Sequence, residues 1–278
     1  MDSARPTSGH ARRDRVLLDG PGTGDRLDVI VEGEGDPVVL LPSSLRDSED
    51  FDPLAARLAD AGCRVLRPQP RGFGRSSPPA DGMTLSTLAA DVVHVIGRLG
   101  GGEAIVVGHA FGHFVARVAD LEHPGSVRGV VVLAAAARVF PPGMRDTLDL
   151  ACDAGQSRAA RIEALERGFF APGNDPAPWL DGWRPEWKRA YRLASDSPPK
   201  DRWWPVANAP ILDLQGEADP WRPPSTRQEL RAAIGESVTI ATIAGASHAM
   251  VPERPDEVAA AILGWIRRLP VRVGTSAA

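Results

Sequence analysis

Short apolar runs alternate with amphipathic stretches along most of the chain. Val38–Leu41 is wholly apolar and ends at Pro42. Ala104–Val107, Val130–Leu133, Ile211–Leu214 and Val238–Ile243 are similar apolar or β-branched runs, and Arg64–Arg67 reads as a further strand. Val16–Leu18 and Leu27–Glu32 predict a hairpin turned through Asp19–Gly24. The stretches between have helical spacing. Leu85, Leu88, Val92, Val95 and Leu99 recur at three- and four-residue steps and predict a helix over Leu85–Leu99. Phe51–Ala61 predicts another, stopped by Gly62, and Glu257–Leu269 a last one. Apolar strands separated by helices predict the α/β class, with a parallel sheet covered on both faces.

One stretch breaks this rhythm. Between Ala134 and Ile211 lie about seventy residues, too many for a structureless loop in a compact domain. They carry Tyr191, the only tyrosine, and five of the seven tryptophans: Trp179, Trp183, Trp187, Trp203 and Trp204. A helical cap insertion over residues 138–207 is therefore expected, set into a core of 15–137 and 208–270. Residues 1–14 read as a disordered leader and 271–278 as a tail. A chain of 278 residues suits one domain of this kind, and 43% hydrophobic residues supply a large core. Net charge is −4 with no block of one sign, so neither a nucleic acid nor a membrane surface is indicated as partner. No apolar run reaches the ~18 residues of a membrane span, and Met1–Arg15 lacks the apolar region of a signal peptide. Cys63 and Cys152 lack metal-ligand spacing and read as free thiols of a cytoplasmic protein. No metal or other cofactor is expected, and the chain reads as a monomer or homodimer acting on a small-molecule substrate.

The chemistry concentrates where strands end. Gly108-His109-Ala110-Phe111-Gly112 follows an apolar strand and precedes a helix. It resembles the Gly-x-Ser-x-Gly nucleophile elbow of the α/β-hydrolase family, with alanine in the place of serine. Ile211–Pro220 is similar to the family's strand followed by Gly-x-x-Asp and puts Asp219 in the place of the triad acid; Ile243–His248 puts His248 in the place of the triad histidine. Nucleophile position, acid and histidine follow one another in the family's order. Arg71-Gly-Phe-Gly-Arg-Ser76 resembles the turn after the family's fourth strand, a structural element in which Arg71 is expected to bond loop carbonyls. The resemblance covers roughly residues 25–270. It implies an eight-stranded, mostly parallel sheet with an antiparallel strand near the N-terminal edge, and an oxyanion hole made by the N–H groups of Ser44 and Phe111.

Where the family usually has His-Gly in the oxyanion loop, this chain has Pro42-Ser43. A hydroxyl at Ser43 or Ser44 can reach the site or face solvent. His109 and His113 flank Ala110 and read as structural, with His113 placed to border a pocket. Asp213, inside a strand, reads as solvated or hydrogen-bonded. Trp179, Trp183 and Trp187 lie four apart and are candidate pocket residues, although Pro185 can start a helix between them.

Alanine has no oxygen to act as a nucleophile, and three readings follow. The chain can be an enzyme working through His248 and Asp219 without a covalent serine. It can be a serine esterase or lactonase inactivated by an engineered Ser→Ala change at 110. It can be a non-catalytic, ligand-binding pseudoenzyme. The altered oxyanion loop favours the first, since a point change at 110 would leave that loop untouched. The chemistry then open to it is hydrolysis of an activated ester, a lactone or a carbon–carbon bond, or an elimination or rearrangement. The substrate expected is a small hydrophobic organic molecule.

Overall fold

A computed structural model describes residues 12–270. Its eight strands are β1 (Arg13–Asp19), β2 (Arg26–Glu32), β3 (Asp36–Leu41), β4 (Cys63–Pro68), β5 (Ala104–His109), β6 (Val127–Leu133), β7 (Ile211–Gly216) and β8 (Val238–Ile243). They form one sheet in the order β1-β2-β4-β3-β5-β6-β7-β8. β2 runs antiparallel to both of its neighbours, and all later pairings are parallel. The eight-stranded, mostly parallel α/β sheet is thus present, with its antiparallel element near the N-terminal edge. β1 begins two residues inside the stretch expected as a leader, because Arg13 and Asp14 pair with Glu32 and Val31. Residues 1–11 of that leader, and the tail 271–278, lie outside the described residues.

The helices are α1 (Asp52–Asp60), α2 (Leu85–Leu99), α3 (Phe111–Glu122), α4 (Met144–Cys152), α5 (Arg158–Gly168), α6 (Lys188–Ala194), α7 (Lys200–Trp203), α8 (Glu229–Ile234), α9 (Met250–Glu253) and α10 (Pro255–Ile266). Thr84 and Thr87 exchange hydrogen bonds at the start of α2, a capping box that fixes where it begins. Successive strand residues point to opposite faces, and the core divides accordingly. Val39, Leu41, Ala104, Val106, Val130, Val132 and Ile211 pack with α2 and α3. Val38, Leu40, Ile105, Val107, Val131, Leu133, Leu212 and Leu214 pack with α1 and α10. By the same alternation Asp213 and Gln215 occupy places on the α3 side, where β7 would otherwise continue apolar.

Between β6 and β7 the chain forms α4, α5, two short 3-10 turns, α6 and α7. Trp179 lies in the first 3-10 turn and Trp187 in the second, so the three tryptophans spaced four apart do not share one helical face. Part of this segment packs in a cluster of its own, joining Leu165, Phe169, Phe170 and Trp179 to Trp221 and Ala249 of the loops after β7 and β8. Trp203 and Trp204 instead join the α2–α3 core. No described helix is long and apolar enough to cross a membrane. Cys63 and Cys152 are free and buried.

Candidate active site

The turn from β5 into α3 places Ala110 at φ +46° and ψ −113°. Positive φ crowds a Cβ, and holding a non-glycine residue there costs about 1–3 kcal/mol. The glycines on either side are required by space. A Cβ on Gly108 would stand 2.4 Å from the backbone of Gly112 and His113, and one on Gly112 would stand 2.3 Å from the Leu41 carbonyl oxygen. The start of α3 is therefore pressed against the end of β3, next to Ser43 and Ser44. The other described non-glycine residues with positive φ, Leu45 and Ala134, follow β3 and β6, so backbone strain gathers at this end of the sheet.

Asp219 and His248 come from the loops after β7 and β8. His248 Nδ1 stands 3.1 Å and 3.2 Å from the two carboxylate oxygens of Asp219. The carboxylate accepts, so Nδ1–H donates and Nε2 is left as the basic nitrogen. The Trp221 N–H also donates to Asp219 Oδ1 at 2.9 Å, and the Arg222 N–H closes the turn onto the Asp219 carbonyl at 3.1 Å. Both members of the pair are buried. The His248 ring lies 5.1 Å from Trp221 and 5.6 Å from both Phe169 and His109, measured between centroids.

The flanking histidines are structural in geometry. His109 Nε2 donates to the His248 carbonyl at 2.7 Å, and burial holds its pKa down at about 3, with the neighbouring His248 and Arg46 adding to the effect. His113 Nδ1 donates to the Ala110 carbonyl, while its Nε2 is buried without a partner. Burial, then the charges of Lys200 and Arg117, keep His113 far below the usual histidine pKa. His113 packs against Phe114, Trp203 and Trp204 and does not border the cleft described next.

That cleft opens beside the start of α3. Its walls include Leu41, Ser43, Phe111, Gly112, Val115 and Tyr191, and it runs toward Gln69, Arg71 and Asp91. Of the residues expected to border a pocket, Ser43 lines it and His109 does not; Phe111, expected to supply an oxyanion N–H, is also in its wall. Trp179, Trp183 and Trp187 do not line it. Trp179 and Trp183 clasp Arg46, whose guanidinium carbon sits 4.6 Å and 4.7 Å from their ring centroids. Trp187 donates to the Gly72 carbonyl at 3.1 Å. Arg71 departs from its expected role: its guanidinium bonds the carboxylates of Asp91 and Asp25, not loop carbonyls, because both acids are within reach in the fold. Its own carbonyl accepts from Tyr191 Oη at 2.8 Å. Asp213 is fully buried and bonded to Arg222, not solvated.

Several residues that shape the site carry no local sequence signal. Arg46, Phe169, Tyr191 and Glu253 reach it through contacts between segments far apart in the chain. Trp221, two residues after Asp219, is the one that proximity to a motif could have flagged. Among the described residues no cluster of three or more His, Cys, Asp or Glu is arranged to hold a metal ion.

The profile of the alpha/beta hydrolase family matches residues 38–261, and the chain belongs to that family. It is a hydrolase-like enzyme in class. Epoxide hydrolase A of Mycobacterium tuberculosis is 27% identical, over 90% of this chain and 96% of that protein. The 2-(acetamidomethylene)succinate hydrolase of Mesorhizobium japonicum is 30% identical over half of each chain. A thermophilic esterase from Thermogutta terrifontis superposes with a TM-score of 0.75 at 22% identity, covering 93% of this chain and all of that one, which speaks to the fold alone.

Proposed function

We propose that the chain is an alpha/beta-hydrolase enzyme that acts on a small, neutral, hydrophobic molecule by direct general-base chemistry of His248, oriented by Asp219, with no covalent intermediate at position 110. The observation that carries this reading is the hydrogen-bonded, buried His248–Asp219 pair in loops beside an elbow whose central residue is alanine. Without an oxygen at 110 no acyl-enzyme can form on that residue. His248 Nε2 takes a proton from water as the water oxygen bonds to the substrate carbonyl carbon. The same proton then passes to the departing alkoxide as the carbon–oxygen bond of an ester or lactone breaks. The N–H groups of Ser44 and Phe111 are assigned to the developing oxyanion. Residues 138–207 act as the cap, and the apolar cleft beside Phe111 receives the substrate. Buried free thiols support a cytoplasmic setting.

Turnover of a panel of p-nitrophenyl esters and lactones tests the reading. His248→Ala is expected to abolish activity, and Ala110→Ser to leave it similar or lower. A gain of several orders of magnitude in Ala110→Ser, with a burst of acyl-enzyme, would replace this reading with that of an inactivated serine esterase. Binding without turnover, unaffected by His248→Ala, would make the chain a ligand-binding pseudoenzyme.

A further inference from the structure

A buried ion pair lies beside the His248–Asp219 pair and has no part in the proton transfers above. Asp213 and Arg222 are 0% and 1% exposed, with Arg222 Nη2 donating to Asp213 Oδ2 at 3.1 Å. Arg222 Nη1 reaches the Ala135 and Ala136 carbonyls after β6 at 3.4 Å and 3.3 Å, and Glu229 of α8 at 3.4 Å. One guanidinium thus ties together β6, β7 and α8. Its residue is also the last of the turn that begins at Asp219. The Arg222 N–H bonds the Asp219 carbonyl, the Trp221 N–H bonds the Asp219 carboxylate, and the Trp221 carbonyl accepts from Ala137 N–H at 2.8 Å.

Stability does not explain this pair. Two charges removed from water are replaced by apolar residues of similar volume with little loss and often a gain. The surroundings make the arrangement less favourable still. Asp213 Oδ1, Gln215 Oε1 and His113 Nε2 are buried acceptors without a partner; Arg222 Nε and Arg117 Nε and Nη1 are buried donors without one. Burial raises the Asp213 pKa, against the opposing pull of Arg222, Gln215 and Arg117 and with a small push from Glu229. What an apolar pair could not supply is a fixed fork on the end of the acid-bearing turn.

We propose that Arg222, held by Asp213, is a positioning residue that fixes the Asp219 turn so that the carboxylate meets His248 Nδ1. The proposal deepens the reading of His248 and Asp219 as the working pair and rests on it.

The test is 15N-edited NMR of histidine-labelled protein, which reads the His248 tautomer without any substrate. The unsubstituted chain should show Nδ1–H with a downfield, slowly exchanging proton. Arg222→Met alone strands a buried carboxylate and is expected to lower the melting temperature. The double variant Asp213→Leu/Arg222→Met removes both charges. It is expected to fold, by near-UV circular dichroism, while losing the downfield proton and populating both His248 tautomers. Its turnover of the best-turned-over member of the ester and lactone panel should fall about tenfold to hundredfold, as for a small misplacement of a reacting group. Arg222→Lys keeps a charge for Asp213 but not the fork, and should lie between. A folded double variant with the unsubstituted tautomer and proton overturns the proposal. So does loss of the signal only in proportion to loss of fold, or failure of every variant to fold, since the pair would then serve the fold alone. If His248→Ala proves harmless to turnover, the catalytic reading fails while the tautomer measurement still decides this one.

Discussion

Two regions meet at the elbow, and they are built differently. Around His248 the rings of Trp221, Phe169 and His109 close to within 5.1–5.6 Å, leaving its side chain 4% exposed. Beside Phe111 and Gly112 the side chains of Leu41, Val115 and Tyr191 stand back from a cleft. The ring cage gives the proposed proton-transfer pair a packed, water-poor setting, in which a hydrogen bond to a carboxylate is stronger than in bulk water. The cleft offers apolar area and room. On the proposed reading, binding and proton transfer fall to different residues, and substitution should separate them.

The largest effect is expected on the cage side. Asp219→Asn removes the charge that fixes the His248 tautomer, and kcat should fall by about 10²–10⁴-fold with KM little changed. Steady-state kinetics on the ester and lactone panel check this, and equal losses in both parameters would dissolve the distinction. Next comes acid sensitivity. His109 is held near 3 and His113 far below its usual value, against 6.5 in the unfolded chain. Below about pH 6.5 the unfolded state binds protons that the folded state refuses, so stability falls as pH falls. The slope is about 1.4 kcal/mol per pH unit for each histidine while this lasts. Urea unfolding between pH 7 and 4 measures it, and His113→Leu should flatten the curve.

On the cleft side the effects are smaller. Val115→Phe should raise KM for bulky substrates about tenfold, a difference of the size one filled subsite produces, with kcat for the smallest ester retained. Tyr191→Phe removes the hydroxyl that bonds the Arg71 carbonyl and should lower stability by about 1 kcal/mol, read as a shift in melting temperature.

Periodicity located the elements well. The bounds expected for α2 and β8 are those found, and the other expected strands differ only at their ends. The elbow, the Asp219 turn and the His248 loop were legible because each is a short motif at the end of a strand. The cleft was not. Its walls bring Ser43 together with Tyr191, and Arg46 donates to the Asp181 carbonyl 135 residues away. Spacing along a chain carries no record of such meetings. The tryptophans misled for the same reason: their count marked a packed region, while their destinations were set by Arg46 and Gly72. Arg71 was placed by its turn, but its partners Asp25 and Asp91 were fixed by tertiary packing.

Glu253 has a mechanical consequence. Its buried carboxylate accepts from the Ala171 N–H and the Asn174 amide through Oε1, and from the Ser247 N–H through Oε2. The Ala249 N–H adds a bond to the Phe169 carbonyl at 2.7 Å. Residues 169–174 and the loop bearing His248 are stapled into one lever. Lifting that end of the β6–β7 segment to admit a molecule would drag the imidazole off Asp219. Around Tyr191 the segment is held by different bonds, from the Tyr191 hydroxyl to the Arg71 carbonyl and from the Trp187 indole to the Gly72 carbonyl, so movement there would leave the pair intact. Hydrogen exchange should find the amides of 169–174 and 247–249 opening together, and later than those of α6.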